Sequence, residues 1–189
     1  MASGEESDDA LVMRAGRGDR LAASRLIARH SPKIFAVCVK TLGERAGAED
    51  ASQETFLRVW KSAYRWKPGR ATFETWLYRV AVNVCIDRLR ARKDHAPAEE
   101  AAGLADEAPL ADADLIAAER KRTLNAALGA LPERQRLAIV LVHYQEMTNI
   151  EAAAVMEVSV DAFESLLSRA RRSLKEILLP RRADLMEGA

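Results

Sequence analysis

The sequence predicts an all-α fold made of two small helical domains. Alanine, leucine and arginine are abundant, and runs of β-branched or aromatic residues are few, which favours helices over strands. Between residues 96 and 113 the chain is rich in Ala, Pro, Gly, Asp and Glu and has little to bury. We therefore expect domains over residues 1–95 and 115–189, joined by a flexible acidic linker over residues 96–114.

Four helices are predicted before residue 70. The Ser-Asp pair at 7–8 can cap the first, and the Gly-Asp pair at 18–19 breaks the chain and caps the second. Ser31-Pro32 predicts a restart, because serine caps a helix well and proline suits its first position. This third helix should end at Gly43, and a long fourth helix is predicted over residues 48–66.

A fifth helix should begin after Thr72, a good capping residue, and it carries two stripes at helical spacing. The apolar stripe consists of Phe73, Leu77, Val80 and Val84, and the stripe beside it consists of Arg79, Asn83, Ile86 and Arg90. Aromatic groups, an amide and guanidinium groups in this order suit a surface that stacks bases and neutralises phosphates. The alternative is a core helix with a solvated basic face.

Charge is strongly segregated along the chain, although the net charge is only +1. Residues 58–93 hold ten Lys or Arg against two acids, whereas residues 94–118 hold seven acids and no Lys or Arg. The turn expected at Pro68-Gly69 gathers three of these basic residues and two aromatic ones into one loop, namely Arg65, Lys67, Arg70, Tyr64 and Trp66. This pattern predicts a polyanion-binding patch followed by an acidic tether.

The second half is predicted to end in a helix-turn-helix. One helix is expected over residues 115–128, and Leu131-Pro-Glu133 should start the next. Residues 148–151 (TNIE) form a capping box for a short helix that ends near Met156, and Ser159 can cap the last helix. The DNA-binding helix-turn-helix motif has this layout: a short helix, a tight turn and a longer helix, here with a basic second half.

The last helix divides into a leading surface and a basic second half. Bases of the major groove would meet the leading surface, where a carboxylate can accept from cytosine N4, and phosphates would meet the basic part. The leading surface comprises Asp161, Ala162, Glu164, Ser165 and Ser168, and the basic part comprises Arg169, Arg171, Arg172 and Lys175. An ordinary helical hairpin with charged outer faces is the alternative.

The sequence predicts no catalytic, metal or cofactor site. Cys38 and Cys85 lie in apolar helical patterns without a Cys-x-x-Cys spacing, so reduced thiols are expected. Three scattered histidines form no metal-ligand cluster. The acidic N-terminus is unlike a secretory signal, and no apolar run approaches the roughly 20 residues that span a bilayer. We therefore expect a cytoplasmic protein.

Three segments of the first domain resemble region 2 of the extracytoplasmic-function (ECF) sigma factors of bacterial RNA polymerase. They are residues 50–60 (DASQETFLRVW), 73–83 (FETWLYRVAVN) and 87–90 (DRLR). Residues 131–136 (LPERQR) and 168–174 (SRARRSL) resemble region 4 of the same family. The resemblance implies a four-helix region 2-like domain and a region 4-like helix-turn-helix domain.

The resemblance also implies three binding surfaces. The clamp helices of core RNA polymerase would bind Asp50, Gln53, Glu54, Phe56 and Trp60, with the polymerase flap as a second docking point. The −10 promoter element, including a flipped base, would be read by Tyr64, Arg65, Trp66, Lys67, Arg70, Thr72, Trp76, Arg79, Asn83, Arg88 and Arg90. The −35 element would be read by Ser159, Asp161, Ala162, Glu164, Ser165, Ser168, Arg169, Arg171, Arg172 and Lys175.

By this resemblance the chain is expected to be an alternative sigma factor that binds core polymerase and promoter DNA, catalyses nothing itself and is held inactive by an anti-sigma factor.

The chain departs from many members of the family at the turn of the helix-turn-helix, where residues 156–159 (MEVS) contain no glycine. It also carries acids, Asp161 and Glu164, early in the last helix. These would be repelled by phosphates and should face bases or solvent.

Two other functions stay open at this point. A helix-turn-helix regulator could bind DNA without acting as a polymerase subunit, but it would leave the basic, aromatic block of residues 58–93 without a role. A helical interaction protein would bind only other proteins. That alternative predicts no salt-dependent affinity for DNA. A protein that binds DNA through basic side chains should instead lose affinity steeply as the salt concentration rises.

Overall fold

The computed structural model describes residues 6–69, 71–95 and 112–181, which fold mainly into helices with no strand among them. The helices are α1 (Asp8–Ala15), α2 (Arg20–Leu42), α3 (Arg45–Ser62), α4 (Phe73–His95), α5 (Asp112–Ala130), α6 (Glu133–Ile139), α7 (Asn149–Met156) and α8 (Val160–Leu178). A 3₁₀ turn, Ala63–Arg65, follows α3, and a π-helical stretch, Val140–Tyr144, continues α6.

Most helix boundaries lie where the capping residues predict them. The Ser7 hydroxyl accepts from the amide of Ala10, and the left-handed Gly43 (φ 77°) ends α2. The Thr72 hydroxyl accepts from the amide of Thr75 at 3.1 Å, which confirms it as the cap of α4. The capping box at the start of α7 and the Ser159 cap of α8 are also confirmed.

The predicted restart at Ser31-Pro32 is wrong, because α2 runs through it without a break. Pro32 has no amide hydrogen to donate to the Ala28 carbonyl, and an interior proline ordinarily costs about 3 kcal/mol. Burial on both sides of it outweighs this cost, since His30 and Ile34 are 4% and 0% exposed. The local signal is overridden by packing against the rest of the first half.

The linker prediction needs one adjustment. Helix α5 begins at Asp112, inside the stretch assigned to the linker. Residues 96–111, which make up the rest of that stretch, lie outside the described residues.

The first half packs around α2, which contacts α1, α3 and α4. Its core includes Leu26 of α2, Val59 of α3 and Phe73 and Leu77 of α4, each at most 1% exposed. In the second half, α8 packs against α6 and α7 through Phe163 and other buried residues. Short helix α7, a tight turn and α8 form the predicted helix-turn-helix.

The two halves also contact each other. Helix α7 lies against α4, and the π-helical stretch lies against α2, so the buried residues of both halves form one continuous core. Lys40 of α2 donates to the Asn125 side chain of α5 at 2.8 Å. No helix among the described residues is both long and apolar enough to cross a membrane.

Candidate nucleic-acid interface

An aromatic cluster lies where the 3₁₀ turn meets the start of α4. Trp66 stacks on Trp76 with ring centres 5.1 Å apart, and both meet Phe73 edge to face at about 6 Å. Beside this cluster Tyr64 is 63% exposed, with the Arg65 guanidinium 5.0 Å from its ring centre. The turn therefore presents one exposed ring, that of Tyr64, which is suited to stacking with a nucleobase.

The remaining candidate −10 residues differ in how much of each side chain is free. Asn83 and Arg90 are exposed on the outer side of α4, and Lys67 and Thr72 are exposed ahead of it. Those only partly buried, with protein neighbours of their own, are Trp66, Trp76, Arg79 and Arg88. Arg70 lies outside the described residues.

Arg88 belongs to an ion network between α3 and α4. It contacts Glu54 at 2.9 Å, and Arg58 contacts Glu54 at 2.6 Å and Asp87 at 3.0 Å. Burial alone would raise the pKa of the Glu54 carboxyl, but hydrogen bonds from the two arginines outweigh burial and lower it. Arg58 and Arg88, two of the ten basic residues in the segment 58–93, are therefore already paired with acids.

The outer face of α3 corrects the predicted docking set. Phe56 is only 7% exposed and stacks on Trp60 at 6.2 Å, so it belongs to the core and is removed from the surface residues. Leu57, the next residue along the helix, is 59% exposed. The four-residue spacing of Gln53, Leu57 and Lys61, all exposed, is the signal that would have identified this outer stripe.

Helix α8 presents all of its candidate residues to solvent. Its inner side is buried through Phe163, Leu167 and Ala170. The outer side exposes Ser159, Asp161, Ala162, Glu164, Ser165, Ser168, Arg169, Arg171, Arg172 and Lys175. This separation leaves the whole outer side available to a groove of DNA.

Glu164 has a partner that the sequence did not indicate. The side-chain amide of Asn149, at the start of α7, donates to Glu164 Oε1 at 3.1 Å. This bond fixes the carboxylate on the outer side of α8, where its second oxygen can accept from a base. Helical periodicity in a sequence does not predict a hydrogen bond between exposed side chains of two helices, so this contact is known only from the structure.

Family models match both halves of the chain. Residues 26–95 match the family Sigma-70 region 2, and residues 121–174 match the family Sigma-70, region 4. Together the two matches cover about two thirds of the chain, in the order that the sequence predicts. The chain belongs to the ECF sigma factors.

Relatives of this sigma factor match over almost the whole chain. It is 29% identical to the RNA polymerase sigma-H factor of Pseudomonas aeruginosa, over 93% of this chain and 96% of that protein. It is 28% identical to the ECF RNA polymerase sigma factor SigW of Bacillus subtilis, over 88% and 94%. Such a protein binds core RNA polymerase and directs promoter-specific initiation, and the family is not a class of enzymes.

Solved structures resemble the sigma factor as well. CnrH, determined in complex with the cytosolic domain of CnrY, is 29% identical with a TM-score of 0.68 over 92% of this chain and 97% of that one. The sigma factor RpoE, determined with the anti-sigma factor NepR from Bartonella quintana, is 24% identical with a TM-score of 0.65 over 82% and 95%. The second likeness shows the fold alone.

Within residues 6–69, 71–95 and 112–181, neither the acidic and histidine side chains nor the two cysteines indicate a metal or redox site. The described residues contain no cluster of three or more His, Cys, Asp or Glu arranged to hold a metal ion. Cys38 and Cys85 are both buried. Hydrogen bonding between the two thiols, with burial, raises the pKa of Cys85, which disfavours the reactive thiolate.

Proposed function

We propose that this sigma factor reads the −10 element with α4 and the turn before it, and the −35 element with α8. The observation that carries the proposal is the presence of two different exposed surfaces on one chain. One combines an aromatic ring with an amide and cations, and the other is the free outer side of a helix-turn-helix. Residues 1–95 and 115–189 are the corresponding functional domains, and residues 96–114 join them.

The surface on α4 suits capture of a flipped base. Unstacking a base costs a few kcal/mol, which stacking on an exposed ring such as Tyr64 can repay. The Asn83 amide offers both a donor and an acceptor to a base edge. Arg65, Lys67 and Arg90 are exposed nearby in sequence and can neutralise phosphates of the melted strand.

The surface on α8 suits the major groove of intact duplex. Asn149 holds the Glu164 carboxylate outward, and a carboxylate at a base edge accepts from cytosine N4. Arg171 and Arg172, two turns further along, are exposed and can contact phosphates, which fixes register without reading sequence. The acids of the leading turn thus face bases while the basic half meets the backbone.

The outer stripe of α3 is the proposed contact with the polymerase clamp helices. Asp50 and Gln53 are exposed, and Leu57 adds an exposed apolar group of the kind that anchors protein interfaces. Glu54 and Trp60 are partly exposed beside them. Polar groups surrounding one exposed leucine fit a small docking site better than a DNA contact, because acids there would repel phosphates.

The test is transcription in vitro with core RNA polymerase from the same bacterium on fragments of its genome. Adding the chain should produce promoter-specific start sites, and the aligned promoters should share elements near −10 and −35. Absence of new starts, with a folded chain and an active core enzyme, would contradict the proposal. Sequence-specific binding to DNA in that case would favour a helix-turn-helix regulator that does not join the polymerase.

We also propose that the chain acts in the cytoplasm, has no catalytic activity or cofactor of its own, and is held inactive by an anti-sigma factor. Support comes from the family and from the likeness to CnrH, which was determined with a protein partner bound. A partner isolated with the tagged chain should suppress the promoter-specific starts when it is added to the transcription assay. A partner that leaves those starts unchanged would not be an anti-sigma factor.

A further inference from the structure

The turn between α7 and α8 contains a residue in an unfavourable backbone conformation. Glu157 has φ 54° and ψ 46°, the left-handed region in which a helix normally ends on glycine. Side chains other than Gly, Asn or Asp seldom occupy this region, and they persist there when a contact elsewhere compensates. A glycine would fit this turn without strain, so the glutamate side chain calls for a separate explanation.

Its carboxylate contacts the proposed −10 surface. Glu157 Oε1 lies 3.2 Å from Arg79 Nη1 on α4, and Arg79 Nη2 donates to the Ala154 carbonyl at 3.1 Å. That carbonyl is one of the last in α7, where the helix dipole is negative and carbonyls lack helical partners. The guanidinium of Arg79 is thus held by both the end of α7 and the turn that follows it.

Two further hydrogen bonds join the same two halves. Tyr78, beside Arg79, is 2% exposed, and its hydroxyl donates to Gln145 Oε1 at 2.8 Å. Arg136 is 8% exposed and donates to the Thr41 carbonyl at 2.6 Å, at the C-terminal end of α2. Because these contacts join helices of the first half to segments of the second half, they define one docked arrangement of the two halves.

The docked arrangement cannot read both promoter elements at once. Elements named −10 and −35 are centred about 25 base pairs apart, which is about 85 Å along B-DNA at 3.4 Å per base pair. A compact chain of this length has a radius of gyration of roughly 16 Å and is therefore about 40 Å across. The halves must separate by tens of ångströms before α4 and α8 reach their elements.

We propose that Glu157 is a latch that holds the free sigma factor in a closed, inactive form by engaging Arg79. Core polymerase then binds the open form, and its apparent affinity is reduced by the fraction of molecules that are closed. The inference rests on the proposed assignment of the two halves to the −10 and −35 elements. It assigns to the turn a role that lies outside DNA recognition.

The test compares Glu157→Gly with Glu146→Gly. Glu146 is also a glutamate in the left-handed region (φ 55°) and is exposed, so its replacement removes the same charge and the same backbone strain without touching Arg79. Spin labels at Ser24→Cys on α2 and Glu176→Cys on α8, both exposed, report the separation of the halves in the full chain. Affinity for core polymerase without DNA gives the functional readout.

Glu157→Gly should shift the label distances to longer values and tighten polymerase binding by about two- to five-fold, as expected for loss of one exposed ion pair. Glu146→Gly should change neither quantity. Adding Gln145→Ala to Glu157→Gly removes the acceptor of Tyr78 and should widen the effect. Unchanged distances and affinity in both Glu157→Gly and the double variant would overturn the latch.

Two further outcomes separate this inference from the proposed function. If the wild-type chain gives promoter-specific starts while Glu157→Gly matches it in distance and affinity, the latch is wrong and the promoter assignment stands. If the variant opens but neither chain gives specific starts, the promoter assignment fails and the closed contact remains. Higher transcription by Glu157→Gly with unchanged distances would indicate a contact to DNA and would also overturn the latch.

Discussion

The residues proposed to face the −35 element on α8 are all exposed, and the buried side of that helix consists of other residues. On α4 the division is less clean. Arg79 is held by the end of α7, Arg88 by Glu54, and Trp76 by the packed aromatic cluster. The proposed −35 surface thus lies outside the buried core, although Ser159 caps α8 and Glu164 accepts from Asn149. The proposed −10 surface shares more of its side chains with the packing around α4.

This difference matters for how the two surfaces respond to change. A substitution on the outside of α8, other than at the Ser159 cap, should alter binding and change stability little. A substitution around α4 should alter packing, domain contact and binding together, because the same groups serve all three. The proposed role of this surface, holding a melted strand, benefits from rigid support. Protein side chains that are already packed lose little conformational freedom when they bind the strand.

The largest effect is expected from Phe73→Ala in the aromatic cluster. Phe73 is 1% exposed and contacts Trp66 and Trp76, so its loss should cost about 3–5 kcal/mol of unfolding free energy. All three tryptophans of the chain lie in the first half, so denaturation followed by tryptophan fluorescence reports on it. Phe163→Ala, at a fully buried site in α8, is the matched control and should leave the tryptophan stack intact.

The sequence predicts structural features that depend on neighbouring residues, but not those that depend on contacts between distant segments. Capping signals identify the starts of α4, α7 and α8, because a cap depends on residues three or four apart. The restart expected at Pro32 is wrong, because burial of neighbours on α2 overrides a local signal. Helical periodicity likewise could not decide which of Phe56 and Leu57 is buried until α3 was packed.

The candidate site follows this rule as well. The exposed residues of α8 were predictable, since one buried stripe fixes the opposite side of an amphipathic helix. The partners of Arg79, Arg88 and Glu164 were not, because each contact joins segments between 15 and 78 residues apart in the chain. Charge counts along a sequence cannot distinguish a free cation from one already paired across the fold.

Asn83→Ala tests one of the two proposed −10 residues on α4 that are exposed. Loss of the amide should reduce promoter opening by about 1–3 kcal/mol, the range of a base contact, which is roughly 5- to 150-fold. Polymerase binding and the unfolding free energy should stay within about 0.5 kcal/mol. Permanganate footprinting of the melted strand, with a pull-down on core polymerase, makes the comparison. Loss of opening and of polymerase binding together would indicate a folding role instead.

Arg171→Ala with Arg172→Ala tests the separate surface on α8. Removing two phosphate contacts should lower the slope of log affinity against log salt by about 2, uniformly across DNA sequences. The unfolding free energy should change by no more than about 0.5 kcal/mol, because both side chains are exposed. Fluorescence anisotropy on −35 duplexes at several salt concentrations gives the slope. An unchanged slope would exclude both residues from phosphate contact.

The smallest expected effect comes from Glu54→Gln in the ion network of α3 and α4. The folded state lowers the pKa of Glu54, so its contribution is fully present above the unfolded value, about 4.3, and is lost as pH falls through the folded pKa. Glu54→Gln should therefore cost up to about 1 kcal/mol at pH 7, and the difference from wild type should shrink below about pH 4. Denaturant unfolding at both pH values measures this. Glu49→Gln, from the more exposed pair with Arg45, should cost less at pH 7, and an equal cost would place the Glu54 network among ordinary surface pairs.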